Sequence, residues 1–162
     1  MPSNFIPLMS NGLGVESVAI LLRWLLEPAI RDFPLEDLIV VTAMVGAEWP
    51  DTANDFEKYM LPLFRQHQVR FVQVARGGHL EQDGIVVLRD SRSTDRLFIE
   101  GAYTLTQELE SVGTVPQYGS EHRCSLKFKA FVHRNLDGAV PVRAGSSQLW
   151  IQRRGIGACG QM

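Results

Sequence analysis

Leu38-Ile39-Val40-Val41-Thr42-Ala43-Met44 is a continuous apolar and β-branched run without polar alternation. A strand with one face in water alternates apolar and polar residues, so this pattern predicts a strand covered on both faces. Such a strand belongs in the middle of a parallel sheet, between layers of helix. The flanking segments are consistent with that demand. Phe5-Ile6-Pro7-Leu8-Met9 is a short apolar run that meets Ser10 and then a glycine-rich stretch, the pattern of a buried first strand. Ser17 to Leu26 is dense in helix-compatible residues and stops before Pro28. Thr52 to His67 carries Phe56, Tyr59, Met60, Leu63 and Phe64 at helical spacing, which predicts an amphipathic helix running through Pro62. Arg70 to Ala75 is a third strand candidate. The resulting β-α-β-α-β series predicts an α/β fold: a doubly wound, mainly parallel, Rossmann-like sheet with flanking helices joined by right-handed crossovers.

The second half is less regular. Ile85 to Leu88 is compatible with a strand of unassigned topology, Tyr103 to Leu109 with a short helix, and Val112 to Glu121 with an irregular loop. Ser125 to Leu136 alternates basic and apolar residues at helical spacing, and Gln148 to Ile151 has the composition of a late strand. With 162 residues, 45% hydrophobic, the chain is expected to form a single domain over residues 1–162, and no repeat or linker divides it. A formal net charge of -2 offers no global attraction for nucleic acid or anionic membrane, so any polyanion contact must be local. Cys124 and Cys159 form no C-x-x-C pair, which argues against an iron–sulfur cluster or structural zinc and suits a reduced, cytoplasmic setting. No apolar stretch is long enough to span a bilayer, and no signal peptide is evident, so a soluble protein is expected.

Three clusters can carry chemistry. Ser10-Asn11-Gly12-Leu13-Gly14-Val15-Glu16-Ser17 lies between a predicted strand and a predicted helix. Glycines let backbone approach a phosphate, Ser10 and Ser17 bring hydroxyls, and helix N-terminal N–H groups complement negative charge. The bland alternative is a tight turn capped by Ser17. No Gly-Lys-Ser/Thr follows, so this is not a Walker A loop, and Ser17 replaces the last glycine of G-x-G-x-x-G. The second cluster, Gly46-Ala47-Glu48-Trp49-Pro50-Asp51-Thr52, follows the second strand. Glu48 and Asp51 are candidate ligands for magnesium or a ribose hydroxyl, with helix capping by Asp51 or Thr52 an equal alternative. Trp49 reads as packing more readily than as a stacking platform. The third, His122-Arg123-Cys124-Ser125-Leu126-Lys127-Phe128-Lys129, combines positive charge for phosphates with a cysteine near a helix start; a solvated basic face with an inert cysteine is its alternative. His67, His79 and His133 show no metal-ligand spacing.

In this order the clusters resemble the PP-loop superfamily, the adenine nucleotide alpha-hydrolase-like proteins, and most closely its phosphoadenosine phosphosulfate (PAPS) reductase-like branch. Ser10, Gly12, Gly14, Val15 and Ser17 match an S-x-G-x-G-V-x-S loop, with Glu16 where many members carry aspartate. Gly46, Glu48, Pro50 and Thr52 correspond to D-T-G-x-E-x-P-x-T, with Met44 and Val45 in place of Asp-Thr. Arg123-Cys124-Ser125 with Lys127 and Lys129 approximates R-x-C-T-x-x-x-K, and the likeness extends from about Phe5 to Ile156. It implies ATP or a related adenine nucleotide, with the base near the second strand at Ala43 and the phosphates on Ser10, Asn11, Gly12, Gly14, Val15, Glu16, Ser17 and Lys129. It also implies magnesium at Glu48 and Asp51, and Arg123, Cys124 and Lys127 as the catalytic set. An acceptor oxygen, from a substrate the sequence leaves unnamed, would attack the α-phosphate and release pyrophosphate. A sulfonucleotide reductase is the enzymatic alternative, although Ala158-Cys159-Gly160-Gln161-Met162 shares only the Cys-Gly core of the reductase cysteine segment. After Trp150-Ile151 and Gly155-Ile156-Gly157 the family's Asp-Glu is missing, which suits a shortened member and leaves open a noncatalytic nucleotide-binding or interaction subunit. Self-association is left open as well.

Overall fold

The computed structural model describes residues 6–113, 125–136 and 149–151. It shows an α/β protein with an open, mostly parallel sheet in the order β4-β3-β2-β1-β5. β1 (Ile6–Ser10) leads through the glycine-rich loop into α1 (Val15–Leu26), and β2 (Ile39–Met44) follows two short 3-10 turns. α2 (Pro50–Asp55), a π-helical turn at Phe56–Met60 and α3 (Leu61–Gln66) then run end to end into β3 (Arg70–Arg76). β1, β2, β3 and β5 (Leu149–Ile151) are parallel, and β4 (Ile85–Ser91) closes the β3 edge as an antiparallel strand.

The continuous apolar run is buried at every position from Ile39 to Met44. Its alternate residues feed two cores. Val40 and Met44 join Leu21, Leu25, Phe56, Met60, Leu61, Phe64 and Phe71 on the face covered by α1, α2 and α3. Ile39, Val41 and Ala43 join Val72, Val74, Phe131, Val132 and Leu136 on the other, beneath α5 (Phe131–Arg134). Helical cover on both faces is why the strand shows no period-two pattern. Thr42 is the polar exception, and its hydroxyl accepts a hydrogen bond from Asn11 in the glycine-rich loop.

The helix expected from Thr52 to His67 forms from Pro50 to Gln66, with one local departure caused by Pro62. Proline has no N–H to return to the carbonyl four residues back, and its ring crowds that carbonyl. The chain widens there into a π turn, in which Leu61 N–H reaches Phe56 O, five residues back. Its apolar side still closes on β3 through the Phe56, Phe64 and Phe71 rings. α4 (Leu105–Val112) starts later and ends later than the expected helix, between a Thr104–Gln107 capping box and Gly113 in the left-handed conformation. The expected loop from Val112 to Glu121 falls, beyond Gly113, outside the described residues. Ser125–Ala130 forms a π-helical segment that continues into α5. No helix among the described residues is long and apolar enough to cross a membrane.

Candidate functional site

Parallel strands place their C-terminal ends along one edge of the sheet, and the loops after β1 and β2 both emerge there. Strand order reverses at β1, which has β2 on one side and β5 on the other. In open α/β sheets such a reversal leaves a crevice beyond the strand ends where ligands bind. Ser10 pairs with Val41, so β1 ends while β2 continues to Met44, and the loop beyond Ser10 lies against the overhang.

Asn11 organises that loop. Its side chain is buried, 1% exposed, and its backbone N–H donates to Val41 O at 2.8 Å. Its amide nitrogen donates to Thr42 Oγ1 at 3.2 Å. Its amide oxygen accepts from Leu13 N–H at 3.1 Å and from Ser17 Oγ at 2.9 Å. Sequence patterning made Asn11 one ligand-binding residue among several; its work in the fold is to tie strand, loop and helix together. Ser17 differs from expectation in two ways. The helix begins two residues before it, at Val15 with Gly14 as N-cap, so Ser17 is not the cap. Its hydroxyl, expected to face phosphate, turns inward to Asn11 and to Gly14 O, 2.9 Å away.

The two glycines are free of conformational demands. Neither has positive φ, and Leu13, at φ 60, is the loop residue in the left-handed region. A Cβ built on Gly14 would meet only Glu16 Oε2 at 3.4 Å, and one on Gly12 only Lys129 Nζ at 3.9 Å. Lys129 Nζ also lies 3.8 Å from Glu48 Oε1. The structure therefore brings together one residue from each of the three sequence clusters: Gly12 after β1, Glu48 after β2, and Lys129 before α5. Gly14 supplies no capping side chain, so the first-turn N–H groups of α1 end beside this space without one.

Other candidates lie elsewhere or carry less. Asp51 is exposed in the first turn of α2, whose N-cap is Trp49, and no side chain caps this helix. The capping alternative for Asp51 and Thr52 is thus replaced by a dipole contribution from Asp51. Trp49 is 79% exposed, against the expectation that it packs, and Val15 at the start of α1 is 78% exposed. Ala43 is buried on the α5 face of β2. Among the described residues no group of three or more His, Cys, Asp or Glu side chains is placed to hold a metal ion. Arg123, Cys124 and Cys159 lie outside the described residues.

Lys127 joins a separate cluster. It pairs with Glu108, which also accepts from the Tyr103 hydroxyl at 2.7 Å and contacts His79 Nδ1 at 3.0 Å. Beneath it the buried Arg76 guanidinium donates to the carbonyls of Gly78, Lys127 and His79 and stacks over Phe131 at 4.6 Å. No local pattern announces this cluster, because its members come from β3, the turn after it, the loop before α4, α4 itself and the segment before α5.

Burial pushes the Glu108 carboxyl upward, but hydrogen bonds from Lys127, Tyr103 and His79, with the charge of Lys127, together outweigh it and hold the pKa at about 2. The unfolded chain takes up this proton near 4.5 and the folded chain only near 2. Between those values the unfolded state holds more protons, so folding stability from this group is present above about pH 5 and is lost as pH falls toward 2. Glu108→Gln is expected to remove about 1–2 kcal/mol of that acid-side dependence, allowing for solvent screening at a partly open cluster. Urea unfolding midpoints at pH 3 and pH 6 would check it: an unchanged pH difference in the variant would exclude Glu108 as its source.

Comparison with protein-family models, with curated proteins and with solved structures found no match for this chain.

Proposed function

We propose that the protein binds ATP or a closely related adenine nucleotide at the C-terminal edge of its sheet, in the manner of the PP-loop superfamily it resembles. The carrying observation is the convergence of Gly12, Glu48 and Lys129 beside the N-terminus of α1. The phosphates would lie over Gly12 and Gly14, meeting the backbone N–H groups of Val15, Glu16 and Ser17, with Lys129 closing from the α5 side. At each glycine an added Cβ would meet only the far end of one flexible side chain, which fits that role, since a cradle for phosphate needs backbone that side chains do not block. On this reading the fold is a doubly wound, Rossmann-like sheet of the adenine nucleotide alpha-hydrolase-like type. The reversal of strand order at β1 and the helices on both faces support it.

The described carboxylates form no three-ligand metal group, so magnesium would arrive with the nucleotide, with phosphate oxygens and water as most of its ligands and Glu48 or Asp51 adding a carboxylate, and would screen phosphate charge. Lys129 would then exchange its loose pairing with Glu48 for a phosphate oxygen. The chemistry proposed is attack by an acceptor oxygen on the α-phosphate, with pyrophosphate leaving along the Ser10–Ser17 loop. Helix N–H groups and Lys129 would stabilise the charge that develops.

Calorimetric titration with ATP, AMP and PAPS, each with and without magnesium, tests the reading. Saturable ATP binding is expected, and Lys129→Met should weaken it about tenfold, the loss of one charge-assisted hydrogen bond. Tighter binding of PAPS than ATP would move the protein to sulfonucleotide chemistry, and no binding of any nucleotide would overturn the proposal.

A further inference from the structure

Away from the Ser10–Ser17 loop, α4, α5 and the segment leading into α5 line a partly open cavity of about 420 Å3. That volume lies in the range of small-molecule sites. Its apolar walls are Leu105, Leu109 and Val112 on one side and Leu126, Phe128 and Phe131 on the other. Val112 and Leu126 line it while remaining 56% and 44% exposed, so the fold leaves large apolar side chains in contact with water.

The charges on the lining are unevenly spent. Glu108 already has three partners, Lys127, Tyr103 and His79. Lys127 gives one of its three ammonium protons to Glu108 and has no other partner for its side chain among the described residues. Arg134 is exposed and has no ion-pair partner among the described residues. The positive groups therefore keep donors for a ligand, on a Lys127 held in place by Glu108. Glu81, also on the lining, is exposed and adds a negative charge that a second anionic group on the ligand would meet.

We propose that this cavity binds a monocarboxylate with an apolar body, the carboxylate received by Lys127 and Arg134 and the hydrocarbon by the leucine and phenylalanine walls. Charge-assisted hydrogen bonds hold one end, apolar burial supplies affinity along the other, and Glu81 disfavours a second carboxylate. The site is independent of the nucleotide reading.

Titration calorimetry with octanoate, octylamine and suberate, without nucleotide, tests it, so the result stands whether or not the loop binds ATP. Octanoate is expected to saturate one site, with octylamine and suberate at least tenfold weaker. Arg134→Gln and Lys127→Met should each weaken octanoate about tenfold, as expected for one charge-assisted contact. The thermal midpoint of Arg134→Gln should match the parent, because the Arg134 side chain makes no hydrogen bond or ion pair to lose among the described residues. Leu109→Asp, which places charge on the apolar wall, should weaken octanoate further. No octanoate saturation, equal affinity for octylamine, or unchanged affinity in either basic-residue variant would overturn the proposal.

Discussion

Gly14→Val is expected to leave the fold intact and to weaken ATP binding by about a hundredfold, the loss of two or more charge-assisted contacts. The separation of the two effects follows from the local geometry. Gly14 sits at φ -81 and ψ 164, extended backbone that valine adopts readily. The nearest atom to an added Cβ is the far end of a flexible side chain, Glu16 Oε2 at 3.4 Å. Loss of glycine from the N-cap costs α1 about 1 kcal/mol or less. An isopropyl group there stands over the first turn of α1, where a phosphate must approach within hydrogen-bond distance of the backbone. Circular dichroism and the thermal midpoint check the fold, and calorimetry with magnesium ATP checks the site. Unchanged ATP affinity in a folded Gly14→Val protein would end the assignment of the loop to phosphate.

Gly46→Ala is the opposite case, with a large cost in stability and a secondary cost in binding. Gly46 has φ +75, and a Cβ there would lie 2.4 Å from Thr104 Cγ2 and 2.5 Å from Thr104 Cβ. Thr104 caps α4 through the backbone N–H of Gln107, and next to it Leu105 N–H donates to Val45 O at 2.8 Å. The substituted chain must keep a left-handed alanine and also move the start of α4 away from the β2 loop. We expect a loss of about 3 kcal/mol, the sum of left-handed strain and overpacking. For a domain of this size that corresponds to a fall in melting temperature of about 10 °C. Thr104→Ser in the same background removes the nearest clashing atom and keeps the cap, so it should recover part of the loss. A melting temperature within about 2 °C of the parent for Gly46→Ala would show that the loop and α4 separate without cost. Glu48 lies two residues on, so the variant should also weaken ATP binding.

These two glycines show where reading the chain alone succeeds and where it stops. Both belong to the motif resemblance, yet Gly46 is required by backbone conformation and by Thr104, whereas Gly14 is required by neither. A one-letter code cannot separate the two cases, because the distinction rests on φ and on what lies opposite the missing Cβ. Trp49 is a similar example: its composition suggested packing, and its exposure is decided by where the β2 loop ends relative to α2.

What the chain alone determined was the layered architecture along β1, β2 and β3. Their burial appears in the sequence as short apolar runs, and helical cover on both faces removes any alternation from Ile39–Met44. It also placed the glycine-rich loop between β1 and α1, since a strand followed by glycines and then a helical pattern admits little else. Only the tertiary structure decided that β4 returns antiparallel on the β3 edge. It alone turned Ser17 inward to Asn11, and it divided Lys127 and Lys129 between a Glu108 cluster and the glycine-rich loop. Those outcomes depend on contacts between segments far apart in the chain, set by packing against the completed sheet, and local propensity carries no record of such contacts.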